Sequence, residues 1–152
     1  MNRIKTILGS VLCAAALFSM NSAKAESTIY LFDNYKYVND TKVQFNGQDL
    51  NLPERPFYKN FYNLKEYKKS ITKVTIPEDG RILIARDFMW ANKPYHDEMT
   101  LDLNDGDVYY IELVAGMKST LKIIKEKDAQ KYLKKVSENK DWYCNPDIVF
   151  GK

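Results

Sequence analysis

The sequence has 152 residues, of which 23 are Lys or Arg and 20 are Asp or Glu. A hydrophobic fraction of 45% and an aromatic fraction of 13% are typical of a single globular domain with a buried core. The formal charge of +3 indicates affinity for nucleic acid or membrane only if the excess basic residues belong to the folded domain.

The first 25 residues have the pattern of a secretory signal peptide. Arg3 and Lys5 precede an apolar stretch at 7–20, which is shorter than the roughly 20 residues that a membrane span needs. Ala23-Lys24-Ala25 then supplies a small-x-small cleavage motif. We therefore expect export through the Sec pathway to the periplasm or the medium, and a single mature domain at 26–152.

Removal of this segment changes the charge and the cysteine content. Arg3, Lys5 and Lys24 leave with it, so 20 basic residues face 20 acidic ones, which argues against a nucleic-acid partner or stable membrane insertion. Cys13 leaves too, and we expect no lipidation because the bulky Leu12 precedes it. Cys144 is then predicted to be a free thiol that is buried and inert, reactive, or paired between chains; the oligomeric state stays open.

Short segments rich in alternating or β-branched residues predict about seven or eight strands. In chain order they are 27–32, 42–45, 48–52, 71–76, 81–86, 98–103, 108–114 and 120–124. Asn46-Gly47 predicts a tight hairpin, because both central residues of a type I′ turn need positive φ. Pro77–Gly80 predicts a β-turn between the next two strands.

Three other segments have a different character. Residues 54–70 predict a short helix or an aromatic loop, and 88–94 predict a loop that contains Trp90. Residues 126–137 place apolar side chains at helical spacing, which predicts an amphipathic helix. The predicted fold is mainly β: an antiparallel, immunoglobulin-like β-sandwich followed by one C-terminal amphipathic helix.

The order of these features resembles the domain-of-unknown-function 2846 family of bacterial envelope proteins over about 28–137. The motifs that carry the resemblance are Thr28-Ile29-Tyr30-Leu31-Phe32, Phe45-Asn46-Gly47, Ile76-Pro77-Glu78-Asp79-Gly80-Arg81-Ile82 and Gly106-Asp107-Val108-Tyr109-Tyr110-Ile111. The resemblance implies an exported β-sandwich, with no catalytic residues to carry over. The segment 54–70 and the tail with Trp142 and Cys144 depart from the family pattern.

Catalytic groups are sparse. His96 is the single histidine, so multi-histidine metal sites are excluded, and a Cys-His pair would need Cys144. No Gly-x-Ser-x-Gly motif is present, and the acidic run at 102–107 fits a hairpin turn better than a calcium loop. We therefore predict no metal, no cofactor and no enzymatic activity. The alternatives are a small exported enzyme that uses His96 with Cys144 or carboxylates, or an inhibitor or assembly partner of another exported protein.

Aromatic side chains in the irregular segments are the candidate ligand-binding residues. They are Phe57, Tyr58, Phe61, Tyr62, Tyr67 and Trp90. Exposed aromatics in loops beside lysines are suited to binding a sugar ring or a partner protein of the envelope. The alternative is that these side chains close the ends of the sandwich. We therefore predict a non-catalytic binding or structural module of the bacterial envelope.

Overall fold

The computed structural model describes residues 25–36, 41–115, 120–138 and 141–151. All of the predicted signal peptide except Ala25 lies outside these ranges. The described residues form twelve strands: β1 (Ser27–Asp33), β2 (Lys42–Phe45), β3 (Gln48–Asp49), β4 (Phe57–Lys59), β5 (Lys65–Tyr67), β6 (Lys69–Ile76), β7 (Gly80–Trp90), β8 (Lys93–Leu103), β9 (Val108–Leu113), β10 (Leu121–Ile123), β11 (Trp142–Cys144) and β12 (Ile148–Val149). One helix, α1 (Glu126–Ser137), follows β10.

The strands build two large sheets and a separate hairpin. The first sheet has the order β10-β9-β1-β6-β11, and β12 also pairs with β6. The second has the order β3-β2-β7-β8 and is antiparallel at each pairing. The third consists of β4 and β5 alone. The predicted mainly β sandwich with a single helix is confirmed.

The main core lies between the two large sheets. It combines Ile29 and Leu31 of β1 with Phe45 of β2, Ile84 of β7 and residues of the neighbouring strands. Because successive side chains of a strand point to opposite faces, Tyr30 and Phe32 of the same β1 strand face away from this core. Strand β1 is therefore buried along its whole length.

The helix covers the outer face of the first sheet. Its buried residues Ala129 and Leu133 pack with Phe32 of β1, Ile71 of β6 and Trp142 of β11. Glu126 in its first turn and Lys134 in its last turn both suit the helix dipole. The structure confirms the predicted bounds 126–137, and the molecule has three layers: sheet, sheet and helix.

Several details differ from the prediction. Twelve strands, rather than seven or eight, lie in the described residues, because 54–70 and the tail contain short strands of their own. The pairings β1–β9, β6–β11 and β6–β12 are parallel, so the first sheet is mixed. Trp90 ends β7 and Lys93 begins β8, so most of 88–94 is strand rather than the predicted loop. Their strands are longer than expected because β7 and β8 continue to pair up to the turn at 91–92.

Candidate functional site

The segment predicted as a helix or aromatic loop is a β-hairpin, which corrects that prediction. Strands β4 and β5 pair antiparallel, with Phe57 opposite Tyr67, Tyr58 opposite Glu66, and Lys59 opposite Lys65. The i, i+4 spacing of the aromatics is therefore not helical. The chain reverses at 60–64, and Asn63 there has φ 62°, a left-handed conformation that ends any helix and that Asn adopts readily.

Asn60 organises the tip of this hairpin. Its side-chain oxygen accepts hydrogen bonds from the backbone N–H groups of Tyr62 at 2.9 Å and Leu64 at 3.0 Å. Its backbone N–H donates to Leu64 at 2.9 Å, and its carbonyl accepts from Asn63 at 2.9 Å. The tip is thus closed by local hydrogen bonds and does not depend on its apolar side chains for its shape.

Glu66 of β5 holds the turn of the hairpin through side-chain hydrogen bonds. Its carboxylate accepts hydrogen bonds from Asn60 Nδ2 at 2.8 Å and Tyr58 Oη at 2.7 Å, and Lys36 Nζ lies at 3.2 Å. The hydrogen bonds from Asn60 and then Tyr58 hold the pKa of Glu66 below its ordinary value. The same bond to the carboxylate raises the pKa of Tyr58. Glu66 is therefore an ionised anchor, and its charge is matched by Lys36.

Large apolar side chains of the hairpin face solvent. Phe61 is 95% exposed, Tyr62 is 77% exposed and Leu64 is 59% exposed, all at the tip. Phe57 and Tyr58 on β4 are 48% and 37% exposed. Large exposed apolar surfaces on a soluble domain mark interaction sites more often than chance. The alternative that these aromatics close an end of the sandwich does not fit the exposure of Phe61 and Tyr62.

Two lysines lie where the hairpin meets its tip. Lys59 and Lys65 are both exposed and directly opposite each other across the strand pair. Like charges in that position repel each other. Lys65 Nζ also lies 4.4 Å from the centre of the Phe57 ring, a cation–π contact that holds this lysine against the aromatic surface.

Arg55 joins the hairpin to the sandwich. This buried side chain donates from Nη2 to the Tyr35 carbonyl at 2.8 Å and from Nη1 to the Lys68 carbonyl at 3.4 Å. Its Nη1 also lies 3.5 Å from Asp33 Oδ1 at the end of β1. Burial raises the pKa of Asp33, and the positive charges of Arg55 and Arg86 oppose that rise.

The remaining predicted binding residues are less exposed. Tyr67 is half-buried at the base of the hairpin, with its ring 5.9 Å from Phe57 and 5.4 Å from the Arg55 guanidinium. Trp90 is half-buried, donates from Nε1 to Tyr35 Oη at 3.0 Å, and packs edge-on against Tyr95. The structure thus brings Phe57, Tyr58, Phe61 and Tyr62 to one hairpin, with Phe57 and Tyr67 in contact on one face and Tyr58 beside Glu66 on the other, and places Trp90 on the β7–β8 hairpin.

His96 and Cys144, the other candidate residues, lie on different sheets. His96 Nδ1 is 2.6 Å from Asp87 Oδ1, and its Nε2 is 3.3 Å from Glu98 Oε2. These hydrogen bonds raise the pKa of His96, and the bond with Asp87 has the larger effect. Within the described residues, no group of three or more His, Cys, Asp or Glu side chains could hold a metal ion.

Cys144 ends β11 and packs against the cluster between the helix and the first sheet. It is disulfide-bonded in the structure, and the described residues contain no free cysteine. The free thiol that the sequence predicts belongs to the chain without its signal peptide, and it stays a prediction. That prediction depended on the loss of Cys13 with the signal peptide, and Cys13 lies outside the described residues.

The sequence reading missed the residues that shape the hairpin. Asn60, Leu64, Glu66 and Arg55 were not among the candidates, although Asn60 and Asn63 around two aromatics are typical turn residues. Lys65-Glu66-Tyr67 also alternates as a short strand would, but three residues carry too weak a pattern to predict one.

Comparison with protein-family models, curated proteins and solved structures gives no match to this chain. Across the described ranges, none of the helical structure has the length and apolarity that crossing a membrane requires.

Proposed function

We propose that this chain is a non-catalytic binding module of the bacterial envelope and that the β4–β5 hairpin is the part that contacts its partner. Export through the Sec pathway, without lipidation, belongs to the same proposal, as does the resemblance to the domain-of-unknown-function 2846 family. The observation that carries it is the exposure of Phe61 and Tyr62 on a tip whose backbone is held by Asn60.

The organisation of the hairpin supports binding rather than incidental exposure. Arg55 holds its base to the sandwich, and Glu66 holds its strands to the tip. A surface ordered before binding loses less conformational entropy when it meets a partner. The exposed aromatic rings add large contact areas with few rotatable bonds, which is why such residues dominate binding hot spots.

Site-specific photo-cross-linking in the producing cells tests this proposal. A photoreactive residue replaces Phe61 in the full chain. A matched control carries the same residue in place of Leu83, which is 38% exposed and lies on β7 of the β7–β8 hairpin. We expect cross-linked adducts from position 61 that are absent from position 83. Equal labelling from both positions, or none from 61, would show that the hairpin is not a binding surface. Cell fractionation of the same cultures tests export.

A further inference from the structure

We infer that the hairpin tip docks reversibly on an anionic phospholipid surface, with Phe61, Tyr62 and Leu64 entering the interface and Lys59 and Lys65 resting on the headgroups. This inference rests on the proposed function, because it names the partner of the same hairpin. It differs from membrane insertion of the domain: the tip alone enters the interfacial layer.

The shape of the tip supports a soft, deformable partner. Strands β4 and β5 form a two-stranded sheet of their own, and the side chains at its turn are the most exposed large apolar groups among the described residues. The rings of Phe61 and Tyr62 have centroids 5.4 Å apart and stand at 90° to each other. Two perpendicular rings do not form the flat platform on which a sugar ring would stack. A narrow apolar point is suited to entering the boundary between headgroups and acyl chains, where aromatic side chains are favoured.

The charges around the tip select the sign of that surface. The segment 56–65 contains Lys59 and Lys65 and no Asp or Glu. Glu66, the next residue, directs its carboxylate to Asn60, Tyr58 and Lys36, so its charge is compensated within the fold. The two exposed lysines therefore give the tip a local positive charge in a domain whose expected net charge, with these lysines included, is zero. Lysines close to an anionic membrane each contribute about 1 kcal/mol of attraction.

The pairing of these lysines points the same way. Lys59 and Lys65 occupy directly opposed positions, where an opposite pair of charges would stabilise the hairpin and like charges destabilise it. An anionic surface against the tip relieves this repulsion. Both lysines flank the same turn, so the headgroup layer is within reach of both side chains once the Lys65 ammonium leaves the Phe57 ring, which is 4.4 Å away.

Vesicle co-sedimentation with the purified protein tests this inference. The vesicles consist of phosphatidylcholine alone or of equal parts phosphatidylcholine and phosphatidylglycerol. We expect the protein to pellet with the anionic vesicles and to be released at about 1 M salt, where the screening length falls to about 3 Å. The variant Lys59→Gln/Lys65→Gln should lower the partition coefficient about 20- to 30-fold, and Phe61→Ser/Tyr62→Ser at least about tenfold.

Matched variants control for general surface effects. Lys122→Gln/Lys127→Gln removes two exposed lysines from β10 and α1, and Leu83→Ser removes an exposed apolar side chain from β7. Both should pellet like the unmodified chain, and no variant should lower the thermal unfolding midpoint. The inference is overturned if the unmodified chain stays in the supernatant, if the tip variant pellets undiminished, or if neutral and anionic vesicles bind equally. Cross-links from position 61 to a protein, without vesicle binding, would leave the proposed function standing and reject the lipid surface.

Discussion

The buried ion pair between Arg55 and Asp33 joins the base of the hairpin to the end of β1. We expect Arg55→Met to weaken the attachment of the hairpin and to lower the stability of the whole fold. Methionine keeps an unbranched side chain at this position but cannot donate to the carbonyls of Tyr35 and Lys68 or place a cation over the Tyr67 ring. It also leaves the carboxylate of Asp33 without its nearest guanidinium, which lies at 3.5 Å.

The expected loss of stability follows from these contacts. Removing one partner of a buried ion pair costs about 3–5 kcal/mol, because the other charge stays buried without compensation. The fully buried Arg86 also interacts electrostatically with Asp33, so part of the positive charge that compensates this carboxylate remains in the variant. We therefore expect the free energy of unfolding to fall by about 3 kcal/mol, at the lower end of that range.

The loss should also depend on pH in a defined direction. Without Arg55, the pKa of Asp33 rises further, so the folded state binds a proton more readily than the unfolded chain, whose carboxyl has a pKa of about 3.9. Stability then declines as pH rises from that value through the folded-state pKa. The difference between Arg55→Met and the unmodified protein should be smaller in acid, where only the lost hydrogen bonds to the carbonyls of Tyr35 and Lys68 remain, and largest near neutral pH.

Urea unfolding, followed by fluorescence of the two tryptophans, measures these effects. Hydrogen exchange of the β4–β5 amides reports whether the hairpin opens locally. The double variant Asp33→Asn/Arg55→Met should cost less than the sum of the two single variants, because the second change removes the charge that the first left unpaired. Strict additivity, or a cost that is the same at acid and neutral pH, would refute this account of the ion pair.

Three further predictions concern His96, Gly47 and Leu133. The single histidine resonance should titrate above the ordinary pKa of about 6.5, and Asp87→Asn should lower it, as proton NMR can show. The stabilisation from His96 is then present below about pH 6.5 and lost as pH rises through the folded-state pKa. Gly47→Ala should cost about 1 kcal/mol in urea unfolding, because Gly47 has φ +79° in an open turn. Leu133→Ala should cost about 2–5 kcal/mol in the same assay, because Leu133 is buried between helix and sheet.

Each of these has a result that contradicts it. A His96 pKa at or below 6.5 would mean that the hydrogen bonds to the carboxylates do not form in solution. An unchanged urea midpoint for Gly47→Ala would show that the turn adopts another conformation. For Leu133→Ala the matched control is Lys131→Ala on the exposed face of the helix, and equal effects of the two would contradict the packing of α1 on the sheet.

Local sequence signals predicted those parts of the fold that depend on neighbours in the chain. Asn46 and Gly47 both adopt positive φ between β2 and β3, as the type I′ signature requires. The helix occupies the predicted range because its apolar spacing and terminal charges agree with each other. The residues within the β2–β3 turn and within α1 determine the local conformation, so a single sequence is enough to predict both elements.

Parts that depend on distant partners were not predictable in this way. Trp142 lies beside Lys69 because β11 pairs parallel with β6, and the alternation of three residues cannot specify such a pairing. Trp142 is only 4% exposed, so the tail packs on the first sheet, and the sequence did not predict this position. The mixture of parallel and antiparallel pairings in the first sheet was unpredictable for the same reason. Alternation in the sequence shows that a strand has two different faces, but it does not show the direction of the neighbouring strand.

The hairpin shows why the candidate site was only partly predictable. Composition alone identified its aromatics, but their roles depend on which strand position each one occupies. Phe61 and Tyr62 are exposed because Asn60 satisfies the backbone of the turn, which leaves no need for apolar packing there. Tyr67, seven residues further along the chain than Asn60, is half-buried because the buried Arg55 lies against its ring. The polar residues Asn60 and Arg55 therefore divide the aromatics into an exposed group at the tip and a half-buried residue at the base, and the proposed binding surface depends on this division.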